Sequence, residues 1–226
     1  MNLSPMCRAL GAAACLLAIH TAALADDPLW ARSQALLLKN KGLVAQNIAT
    51  KLDTGGFLST GEGGYETVLQ RFDITGRPVR GAKDEATENN PDYKASKLDM
   101  ALANHFANNP EHLFENASGV TRLADQQVNG ETLAVFDVRA EHVLKRTLPV
   151  AMRVWVKPDS GAPVKADGMM EVPAPFGPRA PFKVRYTTDS AGRTLPAQVW
   201  LEYDYLTTTR NHIKFDHTLS NWKPRP

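Results

Sequence analysis

Apolar residues occur at every second position through much of the chain. The alternation is clearest in residues 150–172, VAMRVWVKPDSGAPVKADGMMEV. Every second residue in 150–156 is apolar, which is the period expected when one face of a strand is buried. Residues 158–161, PDSG, favour a tight turn, and the alternation resumes in 164–172. The segment therefore predicts an antiparallel hairpin with one apolar and one mixed face.

Weaker alternation predicts further strands at residues 43–51, 65–73, 121–127, 132–141, 182–188, 198–206 and 212–222. Asn129-Gly130 lies between two of them and is a strong short signal for a hairpin. The glycines of residues 55–64 are interpreted as a turn, because the alternative, a phosphate-binding loop, lacks the Lys-Ser/Thr ending and leads into strand-type residues. We expect two strands, a helix and then about seven strands in an antiparallel meander.

Helical spacing of apolar residues appears in two segments. Residues 28–39 form one amphipathic stretch, with Asp27 as the predicted N-cap and Pro28 at the first helical position. Residues 96–106 form the second, and a short turn at 111–114 follows it. Between these helices, residues 81–94, GAKDEATENNPDYK, are polar and carry no periodic apolar face. We expect them to form an exposed, mobile loop.

The first residues have the features of an export signal. Arg8 precedes an apolar run, and Ala23-Leu24-Ala25 is a small-residue cleavage site, so residues 1–25 are interpreted as a signal peptide and 26–226 as one exported domain in the periplasm. Both cysteines, Cys7 and Cys15, fall within the signal. The exported part can therefore form no disulfide. Cleavage before a lipidated Cys15 is the alternative to cleavage after Ala25.

Charge and candidate chemistry exclude several functions. The net charge is +2 for 226 residues and falls to +1 without Arg8, which argues against nucleic acid as a partner. No later segment is long and apolar enough to predict a transmembrane helix. Glu202 and Asp204 share a strand face and are interpreted as a solvated pair. We expect no metal site from the exported histidines, no cofactor and no enzymatic activity. These histidines are His105, His112, His142, His212 and His217.

The order of elements and several short segments resemble a known family. The segments are LLLKNKGLV ahead of the first strand, Asn109-Pro110 with Leu113-Phe114, VNGETLAVFDV, WVKPDSGAPVKADG and the closing HIKFDHTLSNWKP. In these features the chain resembles the outer-membrane lipoprotein-sorting proteins, the LolA-like periplasmic carriers. The resemblance spans most of residues 26–226, and its segments are patterns of strand and turn.

This resemblance implies a mainly β fold of the α+β class: an open antiparallel sheet, or incomplete β-barrel, with helices on its concave face. It also implies an apolar cavity for a lipid or a lipoprotein acyl chain. Residues on the apolar strand positions should turn toward the helices from Leu29 and Leu98 and line that cavity; the alternative is that they fill an ordinary core. The candidate lining residues are Met152, Val154, Met170, Val184, Tyr186, Leu201, Tyr203 and Phe215.

Two other functional classes stay open. A structural or sensor domain of the periplasm would bind a periplasmic or outer-membrane protein partner and no lipid, and it would expose an apolar patch. A hydrolase would bring His142 or His217, as a base, beside a carboxylate and a hydroxyl in a cleft.

Overall fold

The computed structural model describes residues 27–55, 61–96, 101–143, 147–171, 179–206 and 210–226. The predicted signal peptide and Leu98 lie outside these residues.

The chain forms ten strands and five helices within the described residues. In chain order they are α1 (Pro28–Leu38), β1 (Leu43–Gly55), β2 (Gly61–Phe72), β3 (Pro78–Ala82), α2 (Glu85–Asn89), α3 (Pro91–Ser96), α4 (Ala101–Asn108), α5 (His112–Glu115), β4 (Ala117–Val128), β5 (Glu131–Val143), β6 (Thr147–Val156), β7 (Pro163–Glu171), β8 (Arg179–Thr188), β9 (Thr194–Leu206) and β10 (Arg210–Pro224).

All ten strands belong to one antiparallel sheet, in the order β3-β2-β1-β10-β9-β8-β7-β6-β5-β4. The last strand pairs with the first over a long register that runs from Leu43 opposite Pro224 to Gly55 opposite His212. Within the described residues the end strands β3 and β4 do not pair with each other, so the sheet stays open. The predicted fold class is confirmed.

Two of the turns that the sequence predicted are present, at Asn129-Gly130 and in residues 158–161, while residues 56–60 of the predicted glycine turn lie outside the described residues. Asn129 and Gly130 have φ of 53° and 83°, the left-handed pair that a two-residue hairpin turn requires. In the β6–β7 turn Gly161 has φ of 77°, and the amide of Lys157 donates to the carbonyl of Ala162 at 2.9 Å. Helix α1 begins as predicted, because an Asp27 carboxylate oxygen accepts from the amide of Leu29 at 2.8 Å.

The prediction of a loop at residues 81–94 is wrong. This segment contains the end of β3 and the helices α2 and α3. Asp84 caps α2 by accepting from the Thr87 amide at 2.8 Å, and the ring of Tyr93 packs 5.7 Å from that of Tyr65 on β2. These short helices have no apolar stripe of their own. They form because a local cap and a tertiary contact stabilise them.

The core lies on the face of the sheet that contacts α1, α4 and α5, which we call the inner face. From α1, the residues Trp30 and Leu37 reach into it. The Trp30 ring stacks on Phe114 of α5 with centroids 5.1 Å apart and planes 10° apart. It also lies 5.5 Å from the ring of Phe136 on β5. Trp30 thus joins α1, α5 and the sheet.

Candidate functional site

The structure places seven of the eight predicted lining residues on the inner face. Six of them are buried in the main core: Met152, Val154, Met170, Val184, Leu201 and Phe215. Tyr186 is partly buried and packs against that core. The side chain of Tyr203 lies outside the described part of the structure.

Strand register explains how residues distant in sequence meet there. Met152 lies opposite Gly168, Gly168 opposite Phe182, Phe182 opposite Leu201 and Leu201 opposite Phe215. These five residues form one row across β6 to β10. Side chains alternate between the two faces of a strand, so residues that lie opposite one another in this row have their side chains on the same face of the sheet.

Aromatic rings from the helices rest on this inner face. The Phe106 ring of α4 lies 6.2 Å from that of Phe182, and the Phe114 ring of α5 lies 5.9 Å from Tyr186, edge to face. Gly168 makes room for the arrangement, because a Cβ atom there would lie 2.5 Å from Cζ of Phe182. The described part of the inner face is thus covered by aromatic side chains of the helices.

Polar contacts fix α1 to its surroundings. Asn40, just beyond the helix, donates from Nδ2 to the carbonyl of Thr194 at 2.6 Å, and Gln34 donates from Nε2 to the carbonyl of Phe114 at 2.8 Å. Helix α4 is fixed at its end, where Asn108 Oδ1 accepts from Nη2 of Arg80 at 3.0 Å. The short helices are therefore held by tertiary contacts as well as by their own hydrogen bonds.

The surroundings of His217 bear on the hydrolase hypothesis. Its Nδ1 lies 2.9 Å from Oγ1 of Thr50, so a hydroxyl is present. The side chain is only 2 % exposed, however, and burial lowers its pKa to about 3. The adjacent carboxylate, Asp216, accepts instead from Gln198 at 2.7 Å. The side chain of His142 lies outside the described residues.

Two histidine clusters were missed by sequence reasoning. His212 bridges the pair interpreted as solvated, with Nε2 2.6 Å from Oε1 of Glu202 and Nδ1 3.0 Å from Oδ1 of Asp204. The rings of His105 and His112 lie 4.3 Å apart. Burial lowers the pKa of both, that of His105 to about 3 with a smaller contribution from His112. The strand pairing of β9 with β10, invisible in the sequence, brings His212 to its carboxylates.

The described part of the chain contains neither a metal-binding cluster nor a membrane-spanning helix. No group of three or more His, Cys, Asp or Glu residues there is placed to hold a metal ion. Among the same residues, no helix has the length and apolarity to cross a bilayer.

A polar cavity of about 840 Å³ lies between β2, β3 and the helices α2 to α4. We call it the β3 cavity. The side chain of Arg80 enters it half-buried, and burial lowers its pKa to about 10. This site could not be predicted from the sequence, because part of its wall falls in the segment predicted to be a loop. The cavity is lined by Thr67, Gln70, Pro78, Arg80, Gly81, Ala82, Asp84, Glu88, Tyr93, Asn104 and Asn108.

On the opposite, outer face, β4 to β7 form a groove of about 850 Å³. Met169, which is 38 % exposed, and Ala151 contribute apolar surface to this outer groove. Ion pairs cross it: Nε of Arg153 lies 3.0 Å from Oδ1 of Asp137.

No protein-family model matches the sequence, and no curated protein matches it. Several solved structures align with most of this chain at low similarity. A LolA superfamily protein from Nitrosomonas europaea is 12 % identical over 86 % of this chain and 94 % of that one, with a TM-score of 0.40. A DUF1329 family protein from Desulfovibrio piger is 11 % identical over 88 % and 93 %, also with 0.40. An outer membrane lipoprotein-sorting protein domain from Vibrio parahaemolyticus is 10 % identical over 86 % and 93 %, with 0.38.

The LolA superfamily protein and the lipoprotein-sorting domain bear the name of the family that the sequence segments resemble. A likeness at this level assigns neither a family nor a function to this chain.

Proposed function

We propose that the protein is a periplasmic carrier that binds an acyl chain, of a lipid or of a lipoprotein, between the inner face and the helices α1, α4 and α5. One observation carries the proposal. The apolar inner face extends from β4 across to β10 and β1, and in the described residues it is covered by helices of 11, 8 and 4 residues.

Such short helices can be displaced without unfolding the sheet. An isolated helix of eight residues is not stable in water, so α4 depends on contacts such as that of Phe106 with Phe182. A bound chain that took the place of the Phe106 ring would keep Phe182 buried. The sheet, by contrast, is held by continuous pairing of its ten strands. We therefore place the opening between α4 and the row from Met152 to Phe215.

The free energy of binding is sufficient for such a ligand. Each buried methylene contributes about 0.8 kcal/mol, so a chain of about fourteen gains roughly 11 kcal/mol. Association costs about 4 kcal/mol at the low end. The remaining 7 kcal/mol or so corresponds to a Kd of roughly 10 μM. Met152 and Met170 suit this use because their unbranched side chains adapt to an irregular guest.

A fluorescent acyl probe tests the proposal. The protein, purified from the periplasm without detergent, is titrated with a dansyl-labelled fatty acid, and native mass spectrometry records any lipid that co-purifies. Replacing Phe106 by alanine creates an apolar space beside Phe182, and such spaces bind apolar guests. We expect Phe106→Ala to bind the probe more tightly than the natural protein.

Met152→Asp should lose probe binding, because it places a charge on the inner face. Arg153→Asp, one residue away on the outer face, is the matched control and should keep it. Near-ultraviolet circular dichroism checks that both variants fold. A protein that carries no lipid and shows no fluorescence change with the probe, in either the natural form or Phe106→Ala, would contradict the proposal.

The outer groove favours a second candidate function, that of a domain that binds a protein partner without lipid. Its exposed Met169 beside the Arg153–Asp137 pair combines apolar and charged surface, as protein interfaces do. Under this alternative Met169→Asp weakens the complex with the partner, while the acyl probe gives no signal with any variant.

A further inference from the structure

We propose that the β3 cavity is a second binding site, for a short peptide of two or three residues with free ends. Its carboxylate would lie at Arg80, Thr67 and Asn104, and its ammonium group at Asp84 and Glu88. The two sites share helix α4 but no residue, since Phe106 packs at the acyl-chain site and Asn104 lines the β3 cavity, and peptide binding is tested without any lipid.

Arg80 supplies a positive charge that has no counter-ion among the described residues. The guanidinium of Arg80 donates from Nη1 to the carbonyl of Gln46 at 3.1 Å and from Nη2 to Asn108 Oδ1 at 3.0 Å and to the carbonyl of Ala45. Among the described residues no carboxylate lies within ion-pair distance of it, and its buried Nε has no hydrogen-bond partner there. A half-buried cation in this state is stabilised by an anion that accepts from Nε.

Two further buried polar groups converge on the same cavity. Thr67 on β2 is 1 % exposed, and its Oγ1 has no hydrogen-bond partner in the described structure. Asn104 on α4 likewise leaves Oδ1 buried without a partner among the described residues. Rotation of this amide exchanges its oxygen and nitrogen, so Asn104 offers either a donor or an acceptor. A buried polar group without a partner costs free energy, and a peptide carboxylate would satisfy all three side chains.

The far end of the cavity is acidic. Asp84 caps α2 and Glu88 lies in the first turn of that helix, and both line the cavity. Arg80 and Asp84 are four residues apart in the chain, from β3 to the N-cap of α2, a Cα separation of at most roughly 13 Å. A peptide of two or three residues spans such a gap.

The middle of the cavity suits peptide groups. Gln70 and Asn108 line it with side-chain amides, which pair with the donors and acceptors of a backbone. Gly81 leaves space for Gln70, since a Cβ atom there would lie 2.1 Å from Nε2 of that side chain. An inorganic anion such as phosphate would satisfy Arg80 but leave Asp84 and Glu88 without a cationic partner. The mixed charge therefore favours a zwitterion.

Isothermal titration calorimetry with tri-alanine tests the proposal. We expect tri-alanine to bind, and N-acetyl-tri-alanine, tri-alanine amide and inorganic phosphate each to bind at least about tenfold more weakly, since each lacks one of the two end charges. Equal binding of the capped and free peptides would overturn the inference. So would the absence of any heat, and of any shift of the side-chain amide NMR signals of Gln70 and Asn104, at about 10 mM peptide.

Two variants separate binding from stability. Arg80→Gln should lose tri-alanine binding, although it also removes bonds to β1 and α4. Thr67→Val has nearly the same shape and removes only the unpaired hydroxyl. We expect it to keep or raise the Tm and to weaken tri-alanine binding about fivefold or more. Thr67→Val that binds tri-alanine as tightly as the natural protein would refute the placement of the carboxylate.

Discussion

Gly168 is the position where the smallest change should have a large effect on stability. In Gly168→Ala the new Cβ lies 2.5 and 2.6 Å from two atoms of the Phe182 ring and 2.8 Å from Cβ of Met152. Carbon atoms prefer about 3.5–4.0 Å, so each contact is short by about 1 Å. Met152 Cβ is fixed to the backbone of β6. The Phe182 ring is 1 % exposed and lies against Phe106, so neither neighbour can move freely.

The loss of stability in Gly168→Ala follows from the overpacking of a close-packed core. Extra methyl groups in such sites cost about 1–3 kcal/mol, and three short contacts place Gly168→Ala at the upper end, about 2–3 kcal/mol. Urea unfolding followed by tryptophan fluorescence measures the change. With an m value of about 2–3 kcal/mol/M, the midpoint should fall by roughly 1 M.

Gly119 and Phe182 provide the controls. Gly119 also lies in a strand, but a Cβ atom there would be 3.9 Å from the side chain of Arg139, which is an ordinary contact, so Gly119→Ala should change the stability by less than about 0.5 kcal/mol. In the background of Phe182→Leu, Gly168→Ala should cost at least about 1 kcal/mol less than in the natural protein. The reasoning would be refuted if Gly168→Ala cost less than about 0.5 kcal/mol, or if it cost the same in the natural protein and in the Phe182→Leu background.

Two further predictions concern α1 and the buried histidines. Trp30→Ala should lower the free energy of unfolding by about 3–5 kcal/mol, because it removes the ring that joins α1 to Phe114 and Phe136. Leu38→Ala on the exposed side of α1 should change it by less than about 0.5 kcal/mol, and similar urea midpoints for the two variants would be inconsistent with this role. His105 and His217 have pKa values lowered to about 3, so both stay neutral in the folded state while the unfolded chain takes up protons below about pH 6.5. Both groups cost no stability above that pH, and they destabilise the fold as the pH falls toward 3, by about 2–3 kcal/mol together at pH 5.5. His112, whose pKa burial also lowers, acts in the same sense. Glu111, whose pKa burial raises, acts in the opposite sense once the pH falls through its raised pKa. Unfolding at pH 7.5 and 5.5 measures the decline in stability, which should be smaller by about 1 kcal/mol in His217→Gln, and an unchanged pH dependence in that variant would show that His217 does not contribute.

Local chemistry allowed much of the fold to be predicted. A side-chain period of two marks a strand wherever one face is buried. For that reason the hairpin of residues 150–172 was recognisable, and so was the common face of the candidate lining residues. Turns and caps are also local: Asn129-Gly130 forms its turn through its own φ angles, and Asp27 reaches an amide two residues away. These features depend on neighbours in sequence, which the sequence shows directly.

Partners that lie far apart in the chain were not predictable. The polar segment 81–94 lacks a periodic pattern, and its helices depend on the contact of Tyr93 with Tyr65. The β3 cavity was not predicted either, since Arg80 was not assigned to a strand. Likewise, Glu202 and Asp204 were interpreted as a solvated pair, because the sequence does not show that β10 places His212 between them.

The sequence by itself determined most of the strands, the turns at Asn129-Gly130 and residues 158–161, and which side chains share a face, because backbone sterics and side-chain alternation act over a few residues. Tertiary structure alone decided that β10 pairs with β1, that Phe182 lies over Gly168, and that Thr67, Arg80 and Asn104 converge on one cavity. Those outcomes depend on packing and register between segments that the chain separates by tens of residues. Many alternative pairings satisfy the same local pattern, and the free energy of the whole sheet and its helices selects among them.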